Sequence, residues 1–225
     1  MKIIAIVSGG MDSVSMLYHY ASKGTIYRPE NELHALTFDY GQRHKKEIGF
    51  ASSAAYQVGA LWDLIDLSNL TKHIGGSSLT DNIPVPDGHY AEENMKITVV
   101  PNRNAIMLAI AYGVAVAEQA DAVAIANHAG DHFIYPDCRP EFIRSFDAMQ
   151  KQAVEGFANI TLLSPFLEMS KSDIVKIGSA AGLDFAKTWS CYKGGEVHCG
   201  TCGTCVERKE AFQLAGVQDP TIYLR

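Results

Sequence analysis

The chain has 225 residues, 47% of them hydrophobic and 20% charged, with a formal net charge of −6. That length supports one substantial core rather than two, and the acidic balance leaves no broad electrostatic footprint for nucleic acid. No apolar run approaches the roughly 20 residues of a membrane span, and Met1-Lys2 leads straight into an apolar stretch, so no cleaved targeting segment is expected. The expectation is a cytoplasmic protein with neither membrane nor direct nucleic-acid partners.

In chain order, Ile3–Val7 reads as a buried strand, and Asp12–Ser22 carries Val14, Leu17, Tyr18 and Ala21 on one helical face. Between them lies Ser8-Gly9-Gly10-Met11-Asp12-Ser13. A strand, a glycine turn and a helix N-terminus together make an anion site, because first-turn N–H groups converge there and the helix dipole adds positive charge. The glycines let the backbone approach a phosphate, and Ser8 and Ser13 add hydroxyl donors. A GxxxxGK[ST] loop is absent, which disfavours kinase-like γ-phosphate transfer; so is GxGxxG, which argues against a dinucleotide enzyme. The loop is similar to the SGGxDS loop of the PP-loop ATP pyrophosphatases, with a purely structural strand-to-helix turn as the alternative.

Further strands are predicted at His34–Phe38, Leu61–Leu67, Ala122–Ala126 and Ile160–Leu163. Further helices are predicted at Lys45–Val58, Arg103–Gln119, Glu141–Phe157 and Lys171–Ala181. Strict alternation predicts an α/β fold, a doubly wound parallel sheet with helices on both faces. The Gly-, Ser-, Asp- and Pro-rich segment Ser68–Val100 interrupts the rhythm as a lid, an interface or a disordered insertion. Ligands in such sheets sit beyond the carboxyl ends of the strands. That rule gathers Ser8–Ser13, then Asp39 to Arg43, then Asn127 to Arg139 over one edge, with Asp39 and Arg43 as ATP-binding candidates.

After about Lys187 the pattern ends, giving a catalytic domain over 1–187 and a cysteine-rich segment over 188–225 packed on it. Cys191, Cys199, Cys202 and Cys205 are spaced C-x7-C-x2-C-x2-C among glycines, a set that fills a closed tetrahedral shell. One structural Zn²⁺ is the expectation. A disulfide is disfavoured in a cytosolic chain, whereas an iron–sulfur cluster also uses four thiolates, and His198 is a competing ligand. Cys138 is the leftover thiol, expected to pack rather than to react.

Taken together, the chain resembles the 7-cyano-7-deazaguanine synthases, a family of PP-loop ATP pyrophosphatases with an adenine nucleotide alpha hydrolase-like fold. The resemblance rests on SGGMDS at 8–13, FDYGQRHKKE at 38–47, PNRN at 101–104 and YPDCRPEF at 135–142. SKSDIV at 170–175, TWSCY at 188–192, CGTCGTCVERKEAF at 199–212 and DPTIY at 219–223 continue it. It implies an ATP-dependent ligase that adenylates 7-carboxy-7-deazaguanine, lets ammonia displace AMP, and dehydrates the amide after a second activation, in queuosine biosynthesis. Ser8, Gly9, Gly10, Met11, Asp12 and Ser13 would hold ATP with Mg²⁺. Asp12, Arg103 and Lys171 would serve catalysis, while Arg103, Asp137 and Arg139 would read the deazaguanine or its carboxylate. A homodimer also fits the resemblance.

One segment departs from the family pattern. Where an Asn-x-x-Asp-Tyr-Ser-Gly form is expected before YPDC, the chain has Asn127-His128-Ala129-Gly130-Asp131-His132-Phe133-Ile134. Asp131 and His132 therefore stand as a candidate base for ammonia or as a structural hydrogen-bonded pair. Beside the nitrile, the departure leaves two alternatives open: a related adenylating enzyme that stops at the amide, or one that acts on another carboxylate or protein acceptor in a DNA-modification or defence pathway.

Overall fold

A computed structural model of the chain describes residues 1–22, 31–89 and 93–224. Five strands form one sheet: β1 (Lys2–Ile6), β2 (Glu32–Asp39), β3 (Leu61–Asp66), β4 (Ala122–Ala124) and β5 (Thr161–Leu163). Their order is β3-β2-β1-β4-β5, and every pairing is parallel. Parallel strands need crossovers, supplied by α1 (Met11–Ala21), α2 (Lys46–Val58), the short α3 (Ser68–Thr71), α4 (Arg103–Ala117) and α5 (Pro140–Ala153). After β5 come α6 (Lys171–Ala180) and α7 (Gly203–Ala215). All five expected strands and all five expected helices are present. The largest difference in their ends is at α5, expected to reach Phe157 but stopping at Ala153.

β1 is central and reads as continuous apolar sequence because both of its faces are covered. Ile3, Ala5 and Val7 point into a layer shared with Val14 and Leu17 of α1, Ile174 and Val175 of α6, and Phe212 of α7. Ile4 and Ile6 point the other way, against Leu108, Ala111 and Tyr112 of α4 and Phe146 of α5. The period-2 strand pattern thus meets two helical stripes, and the main core is closed by residues from both ends of the chain.

α7 was not expected. Its N-cap is Cys202 and its first turn carries Cys205, so its start reads as loop, and its buried face then holds an arginine. Arg208 is fully buried; its guanidinium donates to Thr188 Oγ1 (2.8 Å), Ser190 Oγ (3.1 Å) and the Phe185 carbonyl (2.9 Å), and its Nε lies 3.4 Å from Asp219. These bonds offset the desolvation that an unpaired charge could not survive. The helix ends at Gly216, whose φ of +68° is a left-handed cap.

The segment 68–100 is anchored at irregular intervals rather than loose, with residues 90–92 outside the described residues. Leu79 sits in the α4-side core, Val85 packs beside Cys202 and Cys205, and Met95 packs with Tyr135 and Cys138. Its apolar anchors follow neither helical nor strand spacing, so no periodicity announced them.

Candidate active site

Strand order reverses between β1 and β4, and a cavity of about 190 Å³ opens beyond the carboxyl ends of β1, β2 and β4. Ser8, Gly10, Met11, Asp12, Ser13, Arg103, Asp131 and Lys171 all line it. Residues scattered over more than 160 positions of sequence therefore meet as the sheet topology requires.

The Ser8–Ser13 loop is tied to itself. Ser8 N–H donates to Ser13 Oγ (3.1 Å), whose hydroxyl donates to the Gly10 carbonyl (3.2 Å). No side chain caps α1, which leaves its first-turn N–H groups and its dipole for a ligand. Gly9 has a φ of +88°, and a Cβ there would stand 2.2 Å from the Glu47 carbonyl oxygen and 2.9 Å from the Ala51 nitrogen. The close approach that demands glycine is thus against the first turns of α2.

Behind the loop lies a buried charge network. Lys171, at the start of α6, places Nζ 3.3 Å from Asp12 Oδ2 and 2.5 Å from Glu207 Oε2. Burial works against its ammonium, but Asp12 and Glu207 outweigh it and hold Lys171 well above the ordinary lysine range. His128 accepts the Gly130 N–H at Nδ1 (3.1 Å), so its proton belongs on Nε2, 3.5 Å from Asp131 Oδ2 and 3.9 Å from Asp12 Oδ2. Asp131 turns its carboxylate to His128, not to its neighbour His132, and the two form a capping box for the turn at 129–133. Asp12 Oδ1 is buried with no partner among the described residues. A carboxylate oxygen left so in an anion site fits a divalent cation that accompanies a triphosphate.

The opposite wall is aromatic and cationic. Arg103 opens α4; its guanidinium donates to the Tyr40 hydroxyl (3.3 Å) rather than to a carboxylate, and lies 5.6 Å from the Tyr40 ring centre. Burial works against its charge, but Tyr40, Tyr192 and Asp137 around it keep it protonated. Tyr40 itself is pushed up to about 12 by burial, and Tyr135 and Tyr192 complete the wall. His44 and Glu47 stand beside them: His44 Nε2 is 3.4 Å from Glu47 Oε2, and Gln42 Nε2 donates to Glu47 Oε1 (3.0 Å). His44 lines the cavity, and its Nδ1 is buried with no partner among the described residues.

Burial raises the Glu47 carboxyl to about 8 and lowers His44 to about 3, so both are neutral near pH 7. The folded chain then keeps the Glu47 proton at pH values where the unfolded chain has lost it. Its stabilising share is complete below about 4.5 and is lost as pH rises towards about 8. Replacing Glu47 by Gln should therefore leave the variant gaining on the wild type across that window, read from denaturation midpoints near its two ends. A constant difference would contradict this.

Other expected site residues lie outside the cavity lining. Asp39 accepts from Gly41 N–H (2.9 Å) and Lys45 (2.7 Å), and Arg43 donates to the Asp81 carbonyl (2.8 Å). Asp137 accepts the Asn104 N–H (3.0 Å) at the start of α4. Arg139 Nε donates to the His132 carbonyl (2.8 Å), while His132 Nε2 is buried with no partner among the described residues. Cys138 lines the cavity, but burial pushes its thiol up, which disarms it as a nucleophile. Sequence reasoning assigned no role to Tyr40, Tyr135, Tyr192, His44, Glu47, His128 or Glu207. The strand-end rule gathers Tyr40, His128 and Tyr135 over the same edge, and only the motif blocks around His44, Glu47, Tyr192 and Glu207 point to those four.

Cys191, Cys199, Cys202 and Cys205 bring their sulfurs within 4.8 Å of one another and could hold a metal ion. N–H groups of Thr201 and Cys202 point at Cys199 Sγ (3.4 and 3.2 Å), as suits thiolate acceptors. His198 is not part of the set: its Nε2 accepts the Ser190 N–H at 3.0 Å.

Among solved structures, the U34-tRNA thiolase NcsA from Methanococcus maripaludis, with its [4Fe-4S] cluster, aligns at a TM-score of 0.53 and 16% identity. The alignment covers 95% of this chain and 65% of that one. NMN synthetase from Francisella tularensis aligns at 0.50 and 12%, covering 96% and 77%. These likenesses show the fold. No helix among the described residues is long and apolar enough to cross a membrane. The 7-cyano-7-deazaguanine synthases of Brucella anthropi and Ruegeria pomeroyi are 60% and 59% identical, each over 99% of this chain and 94% of its own length. That of Allorhizobium ampelinum is 61% identical over 99% and 92%. The family model described as queuosine biosynthesis protein QueC matches residues 2–216, and the chain belongs to that family.

Proposed function

We propose that the chain is an ATP-dependent ligase that makes 7-cyano-7-deazaguanine from 7-carboxy-7-deazaguanine and ammonia. The observation that carries this reading is the pairing, in one cavity, of a pyrophosphate loop with a cationic, aromatic wall. The substrate carboxylate attacks the α-phosphorus of ATP and pyrophosphate leaves; ammonia then displaces AMP to give the amide. A second ATP activates the amide oxygen, and loss of AMP with the remaining N–H protons leaves the nitrile.

In this reading the Ser8–Ser13 loop grips the β- and γ-phosphates, and Lys171 meets the charge that builds on the leaving pyrophosphate. Asp12 Oδ1 would hold Mg²⁺, which supplies charge neutralisation to the triphosphate when bound. Arg103 binds the carboxylate while Tyr40, Tyr135 and Tyr192 flank the flat deazaguanine. Asp131, with His128, keeps the 129–133 turn against the cavity. Asp39, Arg43, His132, Asp137 and Arg139 act at one remove, shaping the loops that carry the contacts. The four cysteines hold a structural Zn²⁺ in the 188–225 segment, free ammonia is the nitrogen source, and a homodimer is the working assembly.

The test is mass spectrometry of products after incubation with ATP, Mg²⁺, ammonia and 7-carboxy-7-deazaguanine. The expected result is the nitrile, with AMP and pyrophosphate released at each activation. Accumulation of the amide alone would favour the truncated reaction that the variant 127–134 segment allows. No product at all would overturn the assigned acceptor.

A further inference from the structure

We propose that Glu207 is a positioning residue, holding the Lys171 ammonium at the pyrophosphate loop and so tying the four-cysteine segment to the phosphate site. This inference rests on the placing of Lys171 in the reaction given above.

Lysine has a long, flexible stem, and fixing its tip costs rotamer entropy that an enzyme must meet before the substrate arrives. Here two carboxylates on separate elements meet that cost. Asp12 belongs to the loop itself, whereas Glu207 comes from α7, beyond the last cysteine of the cluster. The Glu207 side chain is only 12% exposed, and its other oxygen lies against Gly130, where an added Cβ would stand 3.1 Å from it. A buried carboxylate is costly unless it is paired, and the partner of Glu207 is the one lysine that lines the cavity among the described residues.

α7 is not free to turn. Cys205 sits two residues before Glu207, and the fully buried Arg208 beside it is pinned to Thr188, Ser190 and the Phe185 carbonyl. The rotation of α7 is therefore set by the cysteine cluster on one side and by Arg208 on the other. Glu207 converts that rotation into a fixed position of Lys171 Nζ, a case of pre-organised electrostatics.

The test compares Glu207→Gln, Glu207→Ala, Lys171→Ala and the double variant Lys171→Ala/Glu207→Ala. Pyrophosphate release gives kcat and the KM for ATP, alongside melting temperature and bound metal per chain. Losing one charge-assisted contact should lower kcat about tenfold to hundredfold in both Glu207 variants, with melting temperature and metal content retained. Gln keeps the size of Glu, so its result stands even if the Ala variant folds poorly. The double variant should be no slower than Lys171→Ala, because both act through one ammonium. If Lys171→Ala is slow but Glu207→Gln is as fast as the wild type, the role of Glu207 is overturned alone. Losses that multiply in the double variant, or that follow lost metal, overturn it too. If Lys171→Ala keeps the wild-type kcat, the placing of Lys171 falls, and this inference with it.

Discussion

Arg103→Ala is expected to lower kcat/KM for nitrile formation by about a hundred- to a thousandfold, the range seen when one pre-organised donor is removed from a developing anion. The expectation is large because Arg103 donates to a phenol and not to a carboxylate, so its charge is left for the ligand. Its neighbours keep it protonated despite burial. Arg103→Lys should recover only part of the loss, because an ammonium keeps the charge but not the planar fork that meets a carboxylate with two bonds. Steady-state kinetics with both variants would check this. Equal activity of Arg103→Ala and the wild type would remove Arg103 from the site.

Gly9→Ala is expected to cost about 3 kcal/mol of stability, from a left-handed residue that also overpacks its surroundings. For a chain of this size that is a fall in Tm of about 6–12 °C. The obstacle is backbone, which cannot swing aside: the Glu47 carbonyl oxygen would lie 2.2 Å from the new Cβ. Gly10→Ala is the internal control. Gly10 has an ordinary φ of −70°, and its added Cβ would meet Ser8 Oγ at 3.3 Å. Differential scanning calorimetry of the two variants should separate them clearly. Similar melting temperatures would show that α2 can yield.

Which parts were legible follows from the physics that wrote them. The strands and most helices could be read because burial repeats with period 2 or 3.6, and the loop at 8–13 because its chemistry is local. The switch-point rule then places the cavity beyond the carboxyl ends of the strands. α7 escaped because Arg208 occupies its buried face and it opens on Cys202-Gly203-Thr204-Cys205. His44, Glu47 and Glu207 escaped for a different reason. Each is an ordinary charged or polar residue in its own stretch of sequence, and becomes chemical only through neighbours far along the chain. The Asp131–His132 adjacency suggested a pair, yet neighbours in sequence point to different sides of a tight turn, and Asp131 is taken by His128.

The sharing of one core by Ile3, near the start of the chain, and Phe212, near its end, has a consequence during synthesis. A ribosome adds residues at about 5–20 per second, so β1 waits many seconds for α7 to join α1 and α6 on that face. Its other neighbour, β4, pairs Ile3 with Ala122 and is also distant. Until then α1 and β2 shelter β1 only in part, because α4, α6 and α7 have still to be added. Shortening the chain before α7 would take Ala211 and Phe212 out of the layer that α1 and α6 build over Ile3, Ala5 and Val7.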